Sequence, residues 1–322
     1  MNSSVLRDFL AFLTVVFIIL TLAGGAMMLR FSFHGITVTN CIMKFLVRYL
    51  SISSLLVGCI AMPFNLHVLL CNGELSCNIA CLARYFFTFI FSNDSLIILS
   101  TLCHYRRDLI VKVPFGKVAC VTLANRRLIV TVAAAISFFP NLFLSIGYLY
   151  LMVTNNTAPC QPDEIHKKTT HYYLGIAEGV KTGLVFGVCF TFIIQDVSKI
   201  RKTLAEQASR VGQSSLRGLH TQKVNANIYF AVVFIAMWIP FSIIAVLANY
   251  IPPYYYNDAY TIGYTLAYGS FALLPICYAL TDGNFKTYVK VAFGFSKGNE
   301  QTNRANTIFP LKDMPTLGGG KD

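Results

Sequence analysis

Seven long apolar stretches divide this sequence, and short polar segments separate them. A helix rises 1.5 Å per residue, so about 20 apolar residues cross the roughly 30 Å of hydrocarbon in a membrane. The stretches are Phe9–Leu29, Phe45–Leu70, Ile79–Cys103, Leu128–Val153, Tyr172–Ile194, Ile228–Tyr250 and Tyr260–Leu280. Only 12% of the 322 residues are charged, too few to solvate a globule of this size. The sequence therefore predicts an all-α membrane protein, a bundle of seven transmembrane helices, and argues against a soluble enzyme.

Lysine and arginine are distributed unevenly between the polar segments. With the N-terminus outside, most of the 26 basic residues fall on the cytoplasmic side, including the pairs Arg106–Arg107 and Arg126–Arg127. The net charge of +12 is then a signal of topology and of attraction to anionic membrane lipid, and not a footprint for nucleic acid. We predict a multi-pass plasma-membrane protein with an extracellular N-terminus, and glycosylation sequons at Asn2 and Asn155 fall on its outer side.

The first apolar stretch is interpreted as a span and not as a cleaved signal peptide, because its apolar run exceeds the usual 7–15 residues of a signal. The longest polar segments are residues 195–223 and the tail after Phe295, both basic, and neither is a soluble domain. We therefore predict one helical domain over residues 1–295 and a flexible cytoplasmic tail over residues 296–322.

Two motifs near the C-terminus carry the most specific information. Residues 234–241 read Phe-Ile-Ala-Met-Trp-Ile-Pro-Phe, which places the only tryptophan of the chain two residues before a proline that kinks a helix. Residues 275–278 read Pro-Ile-Cys-Tyr, and a short amphipathic stretch with Phe285, Val289 and Phe293 on one face follows. Lys286 and Lys290 flank that face, as in a helix lying on a membrane surface.

These motifs resemble those of the rhodopsin-like (class A) G-protein-coupled receptors. The Phe-x-x-x-Trp-x-Pro-Phe run is similar to that family's sixth-helix switch, and the second motif to the end of its seventh helix and its eighth helix. The resemblance covers nearly the whole chain. It implies a receptor that binds an extracellular ligand, unknown here, and activates a heterotrimeric G protein. The residues it assigns to activation and coupling are Arg106, Trp238, Pro240, Pro275 and Tyr278.

The third span contains two candidates for the arginine that this family carries in an acidic-Arg-aromatic triplet. Placing it at Arg106 also puts Cys81, Ser95, Leu99 and Leu102 on family-typical positions, whereas Arg107 fits only Pro114. With Arg106, Tyr105 replaces the neighbouring acid, so the usual local salt bridge is missing. We therefore expect weaker inactive-state constraints and raised basal signalling.

Other positions depart from the family pattern. Gly25 replaces the first-span Asn, Ser54 the second-span Asp and Leu274 the seventh-span Asn. Because the Asp and Asn belong to a sodium-binding polar core in the family, no bound sodium is expected. No cofactor is expected either. The spacing of the residues predicts no metal site, since the histidines do not cluster with the cysteines.

Four of the ten cysteines lie at or near the outer side, where disulfides persist. The resemblance implies a disulfide between Cys81 and Cys160, which would join the third helix to the second outer loop. Cys71 and Cys77 either form a second, smaller bridge or stay reduced.

Ionisable side chains within apolar spans are costly and usually face a cavity or a partner. Here they are Arg84, Asp94, Glu178 and Lys181. Asp94 belongs to a polar network with a structural or a functional role. Glu178 and Lys181, one turn apart, form either an ion pair near the headgroups or part of an outer ligand pocket. The predicted lining of that pocket is Arg84, Thr88, Glu178, Lys181, Trp238, Tyr264 and Tyr268.

Two ligand classes are disfavoured. Thr88 stands where receptors for biogenic amines carry an Asp, and the seventh span lacks the Lys that a retinal Schiff base needs. Arg84 and Lys181 favour an anionic or peptide C-terminal group instead.

The alternatives are a divergent chemosensory receptor or a decoy that binds ligand without coupling, and, outside this fold, a transporter or channel. The odd number of spans and the lack of repeats argue against a transporter. The six histidines are scattered over loops and different helices, which argues against a membrane-embedded enzyme.

Overall fold

The computed structural model describes residues 3–34, 41–70, 75–111, 125–155, 169–211, 232–244, 253–281 and 283–292. These residues form helices and contain no strand, as expected where a membrane offers no water to satisfy backbone polar groups. The seven spans and the short helix that follows run over Ser3–His34, Cys41–Leu70 (in three parts), Leu75–Val111, Arg126–Asn155, Thr169–Val211, Val232–Ile244, Pro253–Thr281 and Gly283–Ala292. The predicted all-α bundle is confirmed.

Six of these helices are long and apolar enough to cross a membrane. The sixth span is described only from Val232 to Ile244, and the rest of the predicted stretch Ile228–Tyr250 lies outside the described residues. Large apolar side chains such as Phe143 and Leu184 are exposed on the outside of the bundle. That exposure suits a surface that faces lipid.

The third span lies at the centre of the bundle and packs against the second, fourth and fifth spans. Leu96, Ile98 and Leu99 are fully buried although they point in different directions around the helix axis. A helix that is buried all round needs no polar face. The first span packs against the second and the seventh, at the edge of the bundle.

Gly24 allows the first and seventh spans to approach closely. A Cβ atom at this position would overlap the ring of Pro275. Pro275 has no backbone N–H to donate to the carbonyl of Phe271, which weakens the seventh helix at the same level. The two spans therefore pack tightly at a point where the seventh helix is deformable.

The second span changes its helical pitch in the middle. Cys41–Leu56 and Met62–Leu70 are α-helical, and a π-helical turn over Val57–Ala61 separates them. Pro63 follows the turn and has no N–H for the carbonyl of Cys59, so one α-helical hydrogen bond is missing at the same level. The turn alters the direction in which the following residues face.

The short helix after the seventh span packs on the bundle through Phe285, which is buried. Its ring lies 5.2 Å from that of Phe31 on the first span and 5.7 Å from that of Tyr278 on the seventh. Lys286 and Lys290 are exposed. This is the predicted amphipathic eighth helix, although Phe293 lies outside the described residues.

We call the two ends of the bundle the Arg84 end and the Arg106 end, after two residues of the third span. The first helix begins at the Arg84 end and finishes at the Arg106 end, where the short helix Gly283–Ala292 also lies.

Candidate functional site

Trp238 lies at the centre of a set of buried rings from the third, fifth, sixth and seventh spans. We call this set the aromatic cluster, and its members are Phe89, Phe186, Phe234, Trp238, Phe241, Tyr264 and Phe271. The ring centroid of Trp238 lies between 5.3 and 6.3 Å from those of its four neighbours, Phe89, Phe186, Phe234 and Phe241. Such pairs contribute about 0.5–1.5 kcal/mol each beyond their buried area. A ring that moves on one span must therefore displace rings on the others.

The sixth helix is weakened directly beside this cluster. Pro240 cannot donate a hydrogen bond to the carbonyl of Ala236. In addition, the hydroxyl of Ser242 donates to the carbonyl of Trp238 at 2.9 Å, and such bonding back to the preceding turn bends helices. The ring of Trp238 and a weakened turn of the sixth helix are thus neighbours.

A polar contact joins the third and seventh spans beside the aromatic cluster. The hydroxyls of Thr88 and Tyr268 lie 2.6 Å apart. The Tyr268 hydroxyl also lies 3.5 Å from the carbonyl oxygen of Ala61, which belongs to the π-helical turn of the second span. Three spans therefore meet at one buried tyrosine.

Arg84 is 5% exposed and is held by uncharged partners. Its Nη1 donates to Oδ1 of Asn65 at 3.2 Å, and its Nη2 donates to Sγ of Cys81 at 3.6 Å. The guanidinium carbon lies 4.5 Å from the centre of the Tyr264 ring, within the range of a cation–π contact. Arg84 thus contacts the second span, the seventh span and its own helix.

Asn65 continues this arrangement to the first span. Its Nδ2 donates to the Thr14 hydroxyl oxygen at 3.3 Å, and that hydroxyl donates to the carbonyl of Leu10 at 2.8 Å. Thr14 and Asn65 are fully buried. We call the series Leu10, Thr14, Asn65 and Arg84 the neutral relay, because each group before Arg84 is uncharged.

Lys181 joins the fifth span to the fourth. Its Nζ donates to Oδ1 of Asn141, and Nδ2 of Asn141 donates to the carbonyl of Ser137 at 2.6 Å. The same ammonium lies 4.9 Å from the centre of the Phe89 ring. Two cations at the Arg84 end therefore rest on two rings of the aromatic cluster.

The structure brings six of the seven predicted pocket residues into one contiguous group, namely Arg84, Thr88, Lys181, Trp238, Tyr264 and Tyr268. Glu178 lies on the fifth helix one turn before Lys181, and its side chain lies outside the described residues. Sequence reasoning missed Phe89, which links most of the group. Nothing local distinguishes it from the other 25 phenylalanines.

The Arg106 end contains an ionic cluster that the sequence did not predict. It consists of His104, Arg107 and Asp108 on the third span and Asp196 on the fifth. Nη1 of Arg107 lies 2.7 Å from a carboxylate oxygen of Asp196, and Nη2 lies 2.6 Å from one of Asp108. Both carboxylates are buried. The cluster ties the third helix to the fifth.

The geometry also fixes the proton on His104. Nη2 of Arg107 lies 2.8 Å from Nε2 of His104, and a guanidinium only donates, so Nε2 is the acceptor. Nδ1 therefore carries the hydrogen and donates to Asp196 at 3.1 Å. In this arrangement His104 is the neutral Nδ1–H tautomer and bridges the cation and the anion.

These ion pairs involve Arg107, whereas the sequence assigned the coupling role to Arg106. Arg106 is itself buried at this end, and its role stays a prediction. Asp196 stands just beyond the predicted fifth span, ahead of Lys199 and Arg201. Its isolation in a basic segment is the signal that could have identified it.

A second polar group joins the second and third spans between the two ends. The Tyr49 hydroxyl donates to Asp94 at 3.4 Å, and the hydroxyls of Ser53 and Ser95 lie 2.9 Å apart. Ser54, which the resemblance places at the position of the family's sodium-binding Asp, donates to the carbonyl of Leu50 in its own helix at 3.0 Å. Its hydroxyl is therefore used within the second span.

Several predicted modifications remain predictions. Cys81 is buried on the third span, and Cys160 lies outside the described residues, as does Asn2. Asn155 is the last residue of the fourth helix. Cys59, Cys103, Cys189 and Cys277, which lie on the spans, are reduced thiols.

No protein-family model and no curated protein matches the chain. Among solved structures, the crystal structure of squid rhodopsin superposes with a TM-score of 0.68, covering 98% of this chain and 94% of that one at 13% sequence identity. The architecture is therefore the rhodopsin-like seven-helix fold, which confirms the resemblance at the level of the fold.

Proposed function

Because the chain has the rhodopsin-like fold, we propose that it is a G-protein-coupled receptor of the plasma membrane. An extracellular ligand binds at the Arg84 end, among the third, fifth, sixth and seventh spans. A heterotrimeric G protein binds at the Arg106 end, where Arg106 and the basic loops meet it. Tyr278 and Pro275 on the seventh span take part in the rearrangement between the two states.

The position of Trp238 is the observation that carries this proposal. Its ring contacts the third and fifth spans and lies two residues before Pro240. A ligand that displaces any ring of the aromatic cluster changes the packing of Trp238, and the sixth helix can respond by bending at Pro240. The ligand shifts the equilibrium only by its difference in affinity for the two arrangements.

The distribution of charge supports the proposed orientation. In the described helices, basic residues are more numerous at the Arg106 end than at the Arg84 end. At the Arg84 end they include Arg7, Arg84 and Lys181. At the Arg106 end they include Arg30, Lys44, Arg48, Arg106, Arg107, Arg127, Lys199, Arg201, Lys202, Lys286 and Lys290. By the positive-inside rule the Arg106 end is cytoplasmic. The Cys81–Cys160 disulfide and glycans at Asn2 and Asn155 then belong to the outer side, and Lys286 and Lys290 contact lipid headgroups.

The test is ligand-free G-protein activation in transfected cells, across a panel of Gα subunits and normalised to receptor at the cell surface. We expect the wild type to signal above mock-transfected cells and Arg106→Ala to signal at the mock level. Arg107→Ala is expected to signal above the wild type, because it removes the link between the third and fifth helices. Arg127→Ala, an exposed basic residue at the same end, is the control for loss of charge.

Equal signals from the wild type, Arg106→Ala and Arg107→Ala would contradict coupling and favour a decoy receptor. A wild-type signal at the mock level would contradict the expected basal activity. A loss of signal in Arg107→Ala but not in Arg106→Ala would move the coupling role to Arg107.

A further inference from the structure

Arg84 is a permanent charge at a site from which water is largely excluded. It lies five residues inside the apolar span that begins at Ile79, or about 8 Å at 1.5 Å rise per residue. It is 5% exposed. A guanidinium does not lose its proton in proteins, so burial leaves a full positive charge that needs a counterion.

The described residues supply no such counterion. The hydrogen-bond acceptors of Arg84 are the amide oxygen of Asn65 and the sulfur of Cys81, and Nε has no hydrogen-bond partner. Asp94, the next acid along the third span, lies ten residues further toward the Arg106 end, or about 15 Å along the helix. The guanidinium is therefore oriented by its neighbours but not neutralised by them.

The neutral relay shows that this orientation is built into the fold. Each oxygen in the series is used by the next donor, from the carbonyl of Leu10 through Thr14 to Asn65. Asn65 is thereby held with its amide oxygen toward Arg84, while the Tyr264 ring covers one face of the guanidinium. Rigid support without neutralisation is what a preorganised anion site requires, since guanidinium groups pair with carboxylates through parallel hydrogen bonds.

We propose that Arg84 anchors the carboxylate of the receptor's ligand, and that the ligand is an organic carboxylate with an apolar body. This inference rests on the proposed function, in which the ligand binds at the Arg84 end. The apolar body follows from Tyr264, which contacts Arg84 and also belongs to the aromatic cluster, 4.7 Å from Phe241. The anionic head and the apolar body thus lie beside each other, next to the rings that move Trp238. The proposal depends on Arg84 alone and not on Lys181.

The experiment measures the thermal unfolding midpoint of the full chain in lipid nanodiscs against increasing concentrations of four probes in one buffer. The probes are decanoate and decanamide, and N-acetylphenylalanine and its C-terminal amide. Each pair has one apolar body and differs in charge. The first pair stands for a lipid-like source of the carboxylate and the second for a peptide C-terminus.

We expect at least one carboxylate to raise the midpoint saturably, and its amide to leave the midpoint unchanged. Arg84→Gln should weaken the apparent affinity for that carboxylate by at least about tenfold, because a charge-assisted hydrogen bond is lost. Arg84→Lys keeps the charge but not the paired geometry and should show an intermediate affinity. Arg7→Gln, an exposed basic residue at the same end, is the control with the same change of charge.

Two further readings keep the outcome decisive. Without ligand, the thermal unfolding midpoint of Arg84→Gln should be no lower than that of the wild type, because the substitution removes an uncompensated buried charge. If Arg84→Gln does not fold, Arg84→Lys provides the comparison of affinities. Amides that act as strongly as the carboxylates, a wild type that responds to neither carboxylate, or an Arg84→Gln affinity equal to the wild type would each overturn the proposal. The assay contains no G protein, so its result is separate from the test of coupling.

Discussion

Replacing Asp196 by Asn tests whether the ionic cluster restrains the bundle. The Asp196 carboxylate is fully buried and accepts hydrogen bonds from Arg107 at 2.7 Å and from His104 at 3.1 Å. An asparagine keeps one acceptor oxygen, turns an NH2 group toward one of the two donors and removes the negative charge. Loss of one charge-assisted hydrogen bond costs about 1.5–3 kcal/mol. We therefore expect the contact between the third and fifth helices to weaken by about that amount.

The expected signal follows from this free energy. Each 1.4 kcal/mol changes an equilibrium constant tenfold. The equilibrium constant for the state in which the third and fifth helices have lost this contact should therefore rise by about tenfold or more. An alternative state that is populated at about 1% at rest then reaches roughly 10%, and ligand-free G-protein activation per receptor should rise by a similar factor.

Basal G-protein activation and the thermal unfolding midpoint should be measured on the same variant. Gln195→Ala, a change at the exposed neighbouring residue, is the matched control and should leave both unchanged. A lower midpoint with unchanged basal signalling would refute the reasoning, because the ionic cluster would then stabilise both arrangements equally.

Three further changes test the packing around the site. Gly24→Val should lower the unfolding midpoint, because its side chain overlaps Pro275 and overpacking costs about 1–3 kcal/mol; an unchanged midpoint would show that the two helices can separate there. Trp238→Ala should lower the free energy of unfolding by about 3–5 kcal/mol. Chemical unfolding followed by circular dichroism measures this loss, and a loss near zero would contradict the prediction. Thr88→Val should lower the free energy of unfolding by about 1 kcal/mol, because it removes the hydrogen bond between Thr88 and Tyr268. A double-mutant cycle with Tyr268→Phe should give a coupling energy of that size, whereas additive effects would argue against the bond.

The spans could be predicted from sequence because each is a local property. A run of about 20 apolar residues has one stable solution in a bilayer, and Trp238 and Pro240 are informative because they lie in one short motif. The group formed by Arg84, Thr88 and Tyr268 could also be anticipated, since ionisable and polar residues in apolar spans stand out.

The pairing of Asp196 with Arg107 could not be predicted because it depends on helix rotation. Arg106 and Arg107 are adjacent, and successive residues of an α-helix point about 100° apart. Which of them meets Asp196 on the fifth span is decided by the packing of the two helices, and local sequence carries no record of that. Phe89 escaped prediction for the same reason, because its importance lies in its neighbours on other spans.

The π-helical turn at Val57–Ala61 has a consequence for comparing this chain with its relatives. A π turn holds about one residue more than an α turn, so it rotates all that follows by roughly 100°. Deleting one residue within it should turn Asn65 away from Arg84 while leaving the span equally apolar. An alignment without gaps that is correct for Cys41–Leu56 will therefore assign the wrong face to Met62–Leu70 in any relative that lacks the turn. The hydrogen bond between Asn65 and Arg84 thus depends on one inserted residue, which a hydropathy profile does not register.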